Sequence, residues 1–221
     1  NTNYIYSIYC AKEYLHDDIL LMHGDLVFEN TVFDDVMDFD GSCMTVSSTL
    51  PIPEKDFKAI IKNNKIDKVG IEFFNEAMTA QPLYKLKKED WIPWLDKIAE
   101  YCEADNQKCY AENALNTISN KINLIPLDVE NRLCSEIDNP EDLAIVSAKL
   151  KEVESRTVYM CFSTDMLHGG HITIINKAQR FGKLIIGVLS DEAVISYKRF
   201  PLVPASERKI LFEHVSGVYK V

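Results

Sequence analysis

Apolar positions along this chain follow two patterns. Some segments have the spacing of a helix, and others are short continuous apolar runs typical of strands. The helical pattern predicts helices over residues 4–15, 88–102, 110–119 and 139–155. The apolar runs predict strands over residues 18–28, 42–49, 122–129 and 132–138, and a hairpin over residues 57–74. Beyond residue 156 the order is strand, turn, helix to Phe181, strand 183–190, and then two further helices.

Local signals support several of these boundaries. Asn63 and Asn64 separate the two apolar runs of the predicted hairpin, where a tight turn is expected. Pro93 fits near the first turn of its helix. Asn139 and Pro140 stand where a helix N-cap and the first helical residue are expected.

A polar stretch from Lys149 to Arg156 is the best domain boundary, and it predicts domains at residues 1–152 and 156–221. In the second domain, strands alternate with helices, which predicts a right-handed βαβ unit with a parallel sheet. The chain begins without Met and stops where a strand is starting, so we expect it to be an internal piece of a longer protein, covalently fused to further domains at both ends.

Composition narrows the classes of function. The net charge of −10 excludes broad nucleic-acid binding, which requires a basic surface. The six cysteines form no CxxC pair and follow no secretory signal, which is typical of reduced residues in a cytoplasmic protein. No apolar run approaches the ~20 residues of a membrane span.

The segment STDMLHGGHITIINKA follows a predicted strand and enters a predicted helix. A helix N-terminus offers free N–H groups and a positive dipole end, and Gly169 and Gly170 would let a phosphate approach the backbone. His168 and His171 could then donate hydrogen bonds to phosphate oxygens. Metal binding would need a third ligand, which is not evident, and an incidental turn remains the plain alternative.

The second domain resembles the cytidylyltransferase-like nucleotidyltransferases, which carry an HxGH signature, a later DE pair, a basic residue and an ER pair. The matching positions here are His168, Gly170, His171, Asp191, Glu192, Lys198 and Arg208. The resemblance implies that His168, His171 and Lys198 act on the triphosphate. It also implies nucleotide contacts by Ser163, Thr164, Asp165, Gly170, Asp191 and Arg208. The family's later ISxT-type motif is absent from this chain, so the domain is expected to be incomplete.

Two carboxylates in the first domain follow predicted strands: Asp25 after Gly24, and Asp138 in SEIDNPEDL. Ligands collect at the carboxyl ends of strands in open α/β sheets, and Mg²⁺ prefers a few carboxylates together with substrate phosphates. Alternatively, Asp25 is a turn residue and Asp138 a capping residue.

Together these segments resemble the later part of nucleoside-triphosphate transferases of the sugar-phosphate and choline-phosphate type, whose N-terminal glycine-rich loop is missing here. The resemblance implies that Asp25 and Asp138 bind Mg²⁺ bridging CTP and the acceptor. The predicted fold is thus α/β, with two Rossmann-like nucleotidyltransferase units in tandem, both incomplete.

An acceptor that carries an ammonium group needs acidic or aromatic neighbours. Glu112 and Glu136 are the candidate acids, and Trp91, Trp94 and Tyr84 could form a cationic box or simply pack a helix on the sheet. His23 is expected to support the metal site without touching the metal, and His16 and His214 to have no role in it.

We therefore expect transfer of CMP from CTP to a small phosphorylated or phosphonylated amino alcohol, such as 2-aminoethylphosphonate or phosphocholine, with release of pyrophosphate. SYKRFP and ASERKILFEHV look closest to domains fused to phosphoenolpyruvate mutase in phosphonate biosynthesis. The alternatives are a sugar 1-phosphate acceptor and a non-catalytic nucleotide-binding module.

Overall fold

A computed structural model describes residues 2–221, which divide into two compact units, one up to Val146 and the other Ser147–Val221. The polar stretch that predicts the boundary is helical as far as Ser155, and the division between Val146 and Ser147 lies just before it, inside one long helix. The assignment of residues 1–152 and 156–221 to separate nucleotidyltransferase domains remains a prediction. No helix among the described residues is both long enough and apolar enough to cross a membrane.

The first unit contains eight strands and four helices, with a fifth helix running across the division. The strands are β1 Ile19–Met22, β2 Leu26–Phe28, β3 Ser42–Ser47, β4 Lys58–Lys62, β5 Lys65–Gly70, β6 Ala77–Leu86, β7 Leu124–Asp128 and β8 Cys134–Glu136. The α-helices are α1 Tyr4–Cys10, α2 Asn30–Asp38, α3 Lys88–Glu103, α4 Ala111–Leu115 and α5 Pro140–Ser155. Two short 3₁₀ helices span Lys12–Tyr14 and Ser119–Lys121.

A mixed six-stranded sheet forms the frame of this unit, in the order β5-β4-β6-β3-β7, and β1 also pairs with β6. β3 and β7 are parallel, and the other pairs of this sheet are antiparallel. β2 and β8 form a separate antiparallel pair.

Both faces of the sheet are covered, which explains why every residue of β3 is buried. Met44 and Val46 face a core that includes residues of α1, α3 and α4. Cys43 faces a smaller core that contains Val32 and Val36 of α2.

The structure confirms the hairpin and the cap of α5. Asn63 and Asn64 both have positive φ, as a tight hairpin turn requires. The Asn139 side chain accepts hydrogen bonds from the N–H groups of Glu141 and Asp142.

One prediction about the first unit needs correction, and two elements were not predicted. The single strand predicted over residues 18–28 is two strands, β1 and β2, joined by a turn at residues 23–25. Helix α3 begins at Lys88 as predicted, so Pro93 is its sixth residue, just after the first turn. The central strand β6 and helix α2 were not predicted. The sequence of β6 is untypical of a central strand because it contains Pro82, which lies opposite an irregularity in the pairing with β3.

The second unit is a three-stranded parallel sheet with helices, as its alternating pattern predicts. The strands are β9 Thr157–Phe162, β10 Lys183–Val188 and β11 Val218–Lys220, in the order β11-β10-β9. The helices are α6 Gly169–Gln179, α7 Asp191–Ile195 and α8 Ala205–Glu213. Phe162, Ile175, Leu184, Ile186 and Phe212 form its core.

Candidate functional site

The turn from His23 to Asp25 is held by one hydrogen bond to strand β6 and by another that closes the turn. The His23 N–H donates to the Pro82 carbonyl (3.2 Å), and the Leu26 N–H donates to the His23 carbonyl (3.4 Å). Asp25 is thereby presented to solvent at the carboxyl end of β1.

The pairing of β2 with β8 brings acids that are distant in sequence to this turn. Leu26 lies opposite Glu136, and the Ile137 N–H donates to the Asp25 carbonyl (3.1 Å). Asp138 is exposed two residues beyond β8, and its N–H donates to Asp142 at the start of α5 (3.1 Å).

His23, Asp25 and Glu136 each place a ligand atom within 4.8 Å of the other two. The closest pair is His23 Nδ1 and Glu136 Oε1, at 2.7 Å. Burial lowers the pKa of His23, but the hydrogen bond to Glu136 and the charges of Glu136, Glu112 and Asp25 outweigh burial and raise it. This donor set fits a divalent cation, since two carboxylates supply charge and oxygen ligands.

A cleft of about 250 Å³ opens beside this cluster. Its lining residues are Tyr4, His23, Asp25, Lys55, Asp56, Phe57, Ile71, Tyr110, Glu136 and Asp138. Four of them are acids and only Lys55 is a cation other than histidine. Asp56 shows the effect of this crowding, because desolvation and then the carboxylates Glu136, Asp138 and Asp142 raise its pKa.

Aromatic rings form another part of the cleft wall. The centroids of Phe57 and Tyr110 are 5.0 Å apart, nearly edge to face, and Tyr110 lies 6.2 Å from Tyr4. Tyr4 and Phe57 also lie edge-on to the His23 imidazole, at 4.8 and 5.9 Å. Rings beside carboxylates provide a suitable environment for an organic cation.

A second cavity, of about 410 Å³, shares Tyr4, His23 and Asp25 with the first. Its other lining residues are Ser7, Ile8, Leu21, Met22 and Gly24, so it is less charged and more apolar. Asp25 therefore borders two spaces of different chemistry, an arrangement that could serve two different substrates.

The predicted box of Trp91, Trp94 and Tyr84 is wrong. All three side chains are fully buried in the core, and the two indole N–H groups donate to the carbonyls of Leu15 and Ala111. Packing, the simpler alternative, explains them.

Glu112 does not line the cleft, and its position does not support direct contact with an acceptor. It is 1% exposed, and its carboxylate accepts hydrogen bonds from the Tyr4 and Tyr84 hydroxyls. Burial raises its pKa, and those two hydrogen bonds partly oppose the increase. Glu112 thus holds Tyr4, which does line the cleft, in place through the hydrogen bond between them.

In the second unit, His168 is the N-cap of α6, and its Nδ1 accepts from the Gly170 N–H (3.2 Å). His171 Nδ1 accepts from the His168 N–H (3.3 Å), and the two rings stack at 3.9 Å. Desolvation and then the neighbouring His168 lower the pKa of His171. A Cβ at Gly170 would lie 3.1 Å from the His168 ring, whereas one at Gly169 would meet nothing within 4 Å.

A cavity of about 280 Å³ lies beside His168. Lys198 reaches into it and donates to the Ser163 hydroxyl (2.9 Å). Thr164 and Asp165 also line it, together with Met166, Val194, Arg199 and Leu202. Four predicted nucleotide residues of this turn and its helix cap, Ser163, Thr164, Asp165 and His168, thus lie together with Lys198. The charged side chains of the lining are the acid Asp165 and the cations Lys198 and Arg199.

Asp191 and Arg208 lie elsewhere and bind one another. Arg208 Nη2 donates to Asp191 Oδ1 (2.5 Å), and Arg208 is only 1% exposed. Asp191 also accepts from the Ala205 N–H (3.0 Å), so the pair joins the start of α7 to the start of α8. This placement does not support direct nucleotide contact by Arg208.

Sequence comparison identifies residues 161–221 as a match to the family model described as Cytidylyltransferase-like. The chain is also 38% identical over 65 residues to ethanolamine-phosphate cytidylyltransferase of Arabidopsis thaliana. That alignment covers 29% of this chain and 15% of the plant protein.

Two solved structures share the α/β fold. The inositol-1-phosphate CTP transferase from T. maritima aligns with a TM-score of 0.50 and 20% identity, over 66% of this chain and 62% of its own. The CTP:phosphocholine cytidylyltransferase from Streptococcus pneumoniae aligns with a TM-score of 0.52 and 13% identity, over 67% and 64%. The fold is therefore mixed α/β with a central sheet, as in these two nucleotidyltransferases. Since the second unit is only about a third of the chain, these alignments must include part of the first.

Sequence reasoning missed Asp56, Phe57, Tyr4 and Tyr110 as cleft residues. Tyr4 and Tyr110 sit at the starts of helices α1 and α4, and Phe57 precedes β4. Only the three-dimensional approach of these separate segments to the His23–Asp25 turn reveals them.

Proposed function

We propose that this protein is a cytidylyltransferase that passes CMP from CTP to a small phosphorylated or phosphonylated amino alcohol, with the chemistry in the first unit. The single observation that carries this proposal is the cleft at Asp25, where four carboxylates and three aromatic rings lie together. Carboxylates can hold a divalent cation, and a carboxylate beside aromatic rings can hold an ammonium group.

In the proposed reaction, an oxygen of the acceptor's phosphate or phosphonate attacks the α-phosphorus of CTP. The bond from that phosphorus to the bridging oxygen breaks, and pyrophosphate leaves with its electron pair. Asp25 and Asp138 would hold Mg²⁺, as the resemblance implies, and Glu136, expected from sequence to contact the acceptor, is proposed instead as a third ligand because it lies beside Asp25. The ion would neutralise phosphate charge when bound. The chain's own contribution is alignment of the two substrates on either side of Asp25.

Asp56 and the faces of Phe57 and Tyr110 would receive the acceptor's ammonium group. This acceptor class is favoured over a sugar 1-phosphate because the cleft is acidic and aromatic, with few neutral groups that would recognise sugar hydroxyls. 2-Aminoethylphosphonate and phosphocholine both meet the requirement. The proposal includes a cytoplasmic location and a place in phosphonate biosynthesis, in a polypeptide with further domains such as phosphoenolpyruvate mutase.

For the second unit, we propose a nucleotide site at the start of α6, where His168, His171 and Lys198 meet the triphosphate. The match of residues 161–221 to the cytidylyltransferase-like family supports it. A non-catalytic nucleotide-binding role for this unit is the alternative.

The test is pyrophosphate release with CTP and Mg²⁺ across 2-aminoethylphosphonate, phosphocholine, inositol 1-phosphate and glucose 1-phosphate. We expect turnover with an ammonium-bearing acceptor, and a loss of about a hundredfold or more in Asp25→Asn, as for removal of one group that stabilises transition-state charge. Asp17→Asn, at an exposed position, is the matched control and should retain full activity. Loss of turnover in His168→Ala but not in Asp25→Asn would place the chemistry in the second unit instead.

A further inference from the structure

We infer that His23 is itself a ligand of the metal in the first unit, and that the site therefore favours a divalent transition ion such as Mn²⁺ over Mg²⁺. This inference deepens the proposed function, because it concerns the same cleft. It replaces the expectation that His23 only supports the carboxylates.

Geometry is the first support. Two ligands at right angles on an ion with bonds of about 2.1 Å lie about 3 Å apart. His23 Nδ1 and Glu136 Oε1 are 2.7 Å apart, so an ion could replace the shared proton after a shift of a few tenths of an ångström. One ligand atom from each of His23, Asp25 and Glu136 lies within 4.8 Å of the other two, so the Asp25 carboxylate could join them on one ion after a further inward movement of its side chain.

Rigidity is the second support. The His23 backbone is fixed by hydrogen bonds to Pro82 and Leu26, and its ring is bordered edge-on by Tyr4 and Phe57. The imidazole is 20% exposed, which leaves access from the cleft without freedom to swing away. A ligand held in this way loses little conformational entropy when it binds an ion.

The chemistry of the ligand atoms accounts for the inferred preference for Mn²⁺ over Mg²⁺. A site of carboxylates alone suits Mg²⁺, whereas an imidazole nitrogen strengthens binding along the first-row series from Mn²⁺ to Zn²⁺. His23, Asp25 and Glu136 provide one nitrogen and two carboxylates, and Asp138 in the same cleft can add a further carboxylate oxygen.

The experiment is electron spin echo spectroscopy of Mn²⁺ bound to the protein, combined with Mn²⁺ and Mg²⁺ titrations. We expect echo modulation from a coordinated ¹⁴N nucleus in the unaltered protein and in His16→Gln, an exposed-histidine control. His23→Phe keeps an aromatic ring between Tyr4 and Phe57 but should abolish the modulation. It should also weaken Mn²⁺ binding at least about tenfold, the lower end of what an outer-shell partner alone costs.

His23→Gln separates ligation from support, because its amide can still donate to Glu136. We expect it to lose the nitrogen signal as well. Mn²⁺ binding without ¹⁴N modulation in the unaltered protein, or modulation that persists in both His23 variants, would overturn the inference. So would a complete lack of Mn²⁺ binding.

The proposed function fails in a different way. CMP transfer with Mg²⁺ but no nitrogen signal would refute only the role of His23. A clear nitrogen signal with no transfer to any acceptor would refute the proposed reaction and leave the metal site standing.

Discussion

The two units place opposite charge at comparable positions in their folds. In the first, residues at the end of β1 and just after β8 present carboxylates to a cleft with one lysine. In the second, the turn after β9 and the start of α6 present two histidines and Asp165, and Lys198, which follows α7, lines the cavity beside His168. The acidic cleft suits cations, whereas a helix N-terminus beside histidines suits phosphate. On the proposed function, we expect a nucleotide to depend more on an added cation in the first unit than in the second.

Acids in the second unit have a different use from acids in the first. Asp191 follows a strand, as Asp25 does, but it is bound to the buried Arg208 and to the backbone of α8. Position after a strand therefore does not by itself make an aspartate a ligand. Whether such an aspartate is free to bind an ion depends on whether the fold gives it another partner, as Arg208 is for Asp191.

Removing Lys198, one of the two cations that line the second site, tests this comparison most strongly. Lys198→Ala should weaken CTP binding there by about ten- to a hundredfold, the value of a hydrogen bond to a charged group. Binding is measured without divalent metal, from the NMR signals of the His168 and His171 imidazoles. Lys177→Ala, at an exposed position on helix α6, which also carries His171, is the control.

Unchanged affinity in Lys198→Ala would show that the phosphate-binding interpretation of this cavity is wrong. The contrast between the two units would then rest on the acidic cleft alone.

A smaller effect is expected when one acid of the cleft is neutralised. Asp56→Asn should raise KM for 2-aminoethylphosphonate by about twofold to fivefold, as for loss of one charge partner at an exposed position. KM for CTP should stay the same, because Asp56 is proposed to face the ammonium group and not the nucleotide. Steady-state kinetics with each substrate varied in turn measure both values, with Asp17→Asn as the control.

Equal increases of KM for both substrates would contradict the assignment of Asp56 to the acceptor. They would indicate a general loss of metal affinity in the cleft instead.

The smallest expected effect is on stability. Since burial raises the pKa of Glu112, the folded protein holds its proton more strongly than the unfolded chain does. Stability should therefore fall as pH rises through the interval between the unfolded and the raised folded pKa. Glu112→Gln should flatten this fall in Tm, because its amide cannot ionise.

Thermal unfolding between about pH 4 and pH 8 measures the difference, starting near the ordinary glutamate pKa. Glu89→Gln, at an exposed position, should reproduce the original pH profile. An unaltered slope in Glu112→Gln would show that another group controls it.

Much of the fold could be predicted from sequence, because its signals are local. The hairpin at Asn63 and Asn64 and the cap at Asn139 depend on residues next to them in the chain. The HGGH turn could be placed for the same reason, since strand, turn and helix are consecutive. Strand β6 could not, because its Pro82 is compatible with a central position only where the neighbouring strand is irregular.

The acidic cleft could be predicted only in part. Asp25 and Asp138 follow strand-like runs, so their presence at a sheet edge follows from sequence. Asp56 does not, because it precedes a strand and reaches the cleft through the course of a loop. The residue types of Glu112 and the tryptophans suggested that they bind the acceptor. These side chains are buried, however, and their roles are structural.

The pairing of β2 with β8 has a further consequence for how this unit holds together. His23 and Glu136 are 113 positions apart in the chain, so an ion bound by both would act as a removable cross-link over most of the unit. An ion that binds only the folded form, present at a hundred times its dissociation constant, adds about 2.7 kcal/mol to folding. The concentration of the free ion would then determine how strongly this unit resists unfolding and proteolysis, even when no substrate is bound.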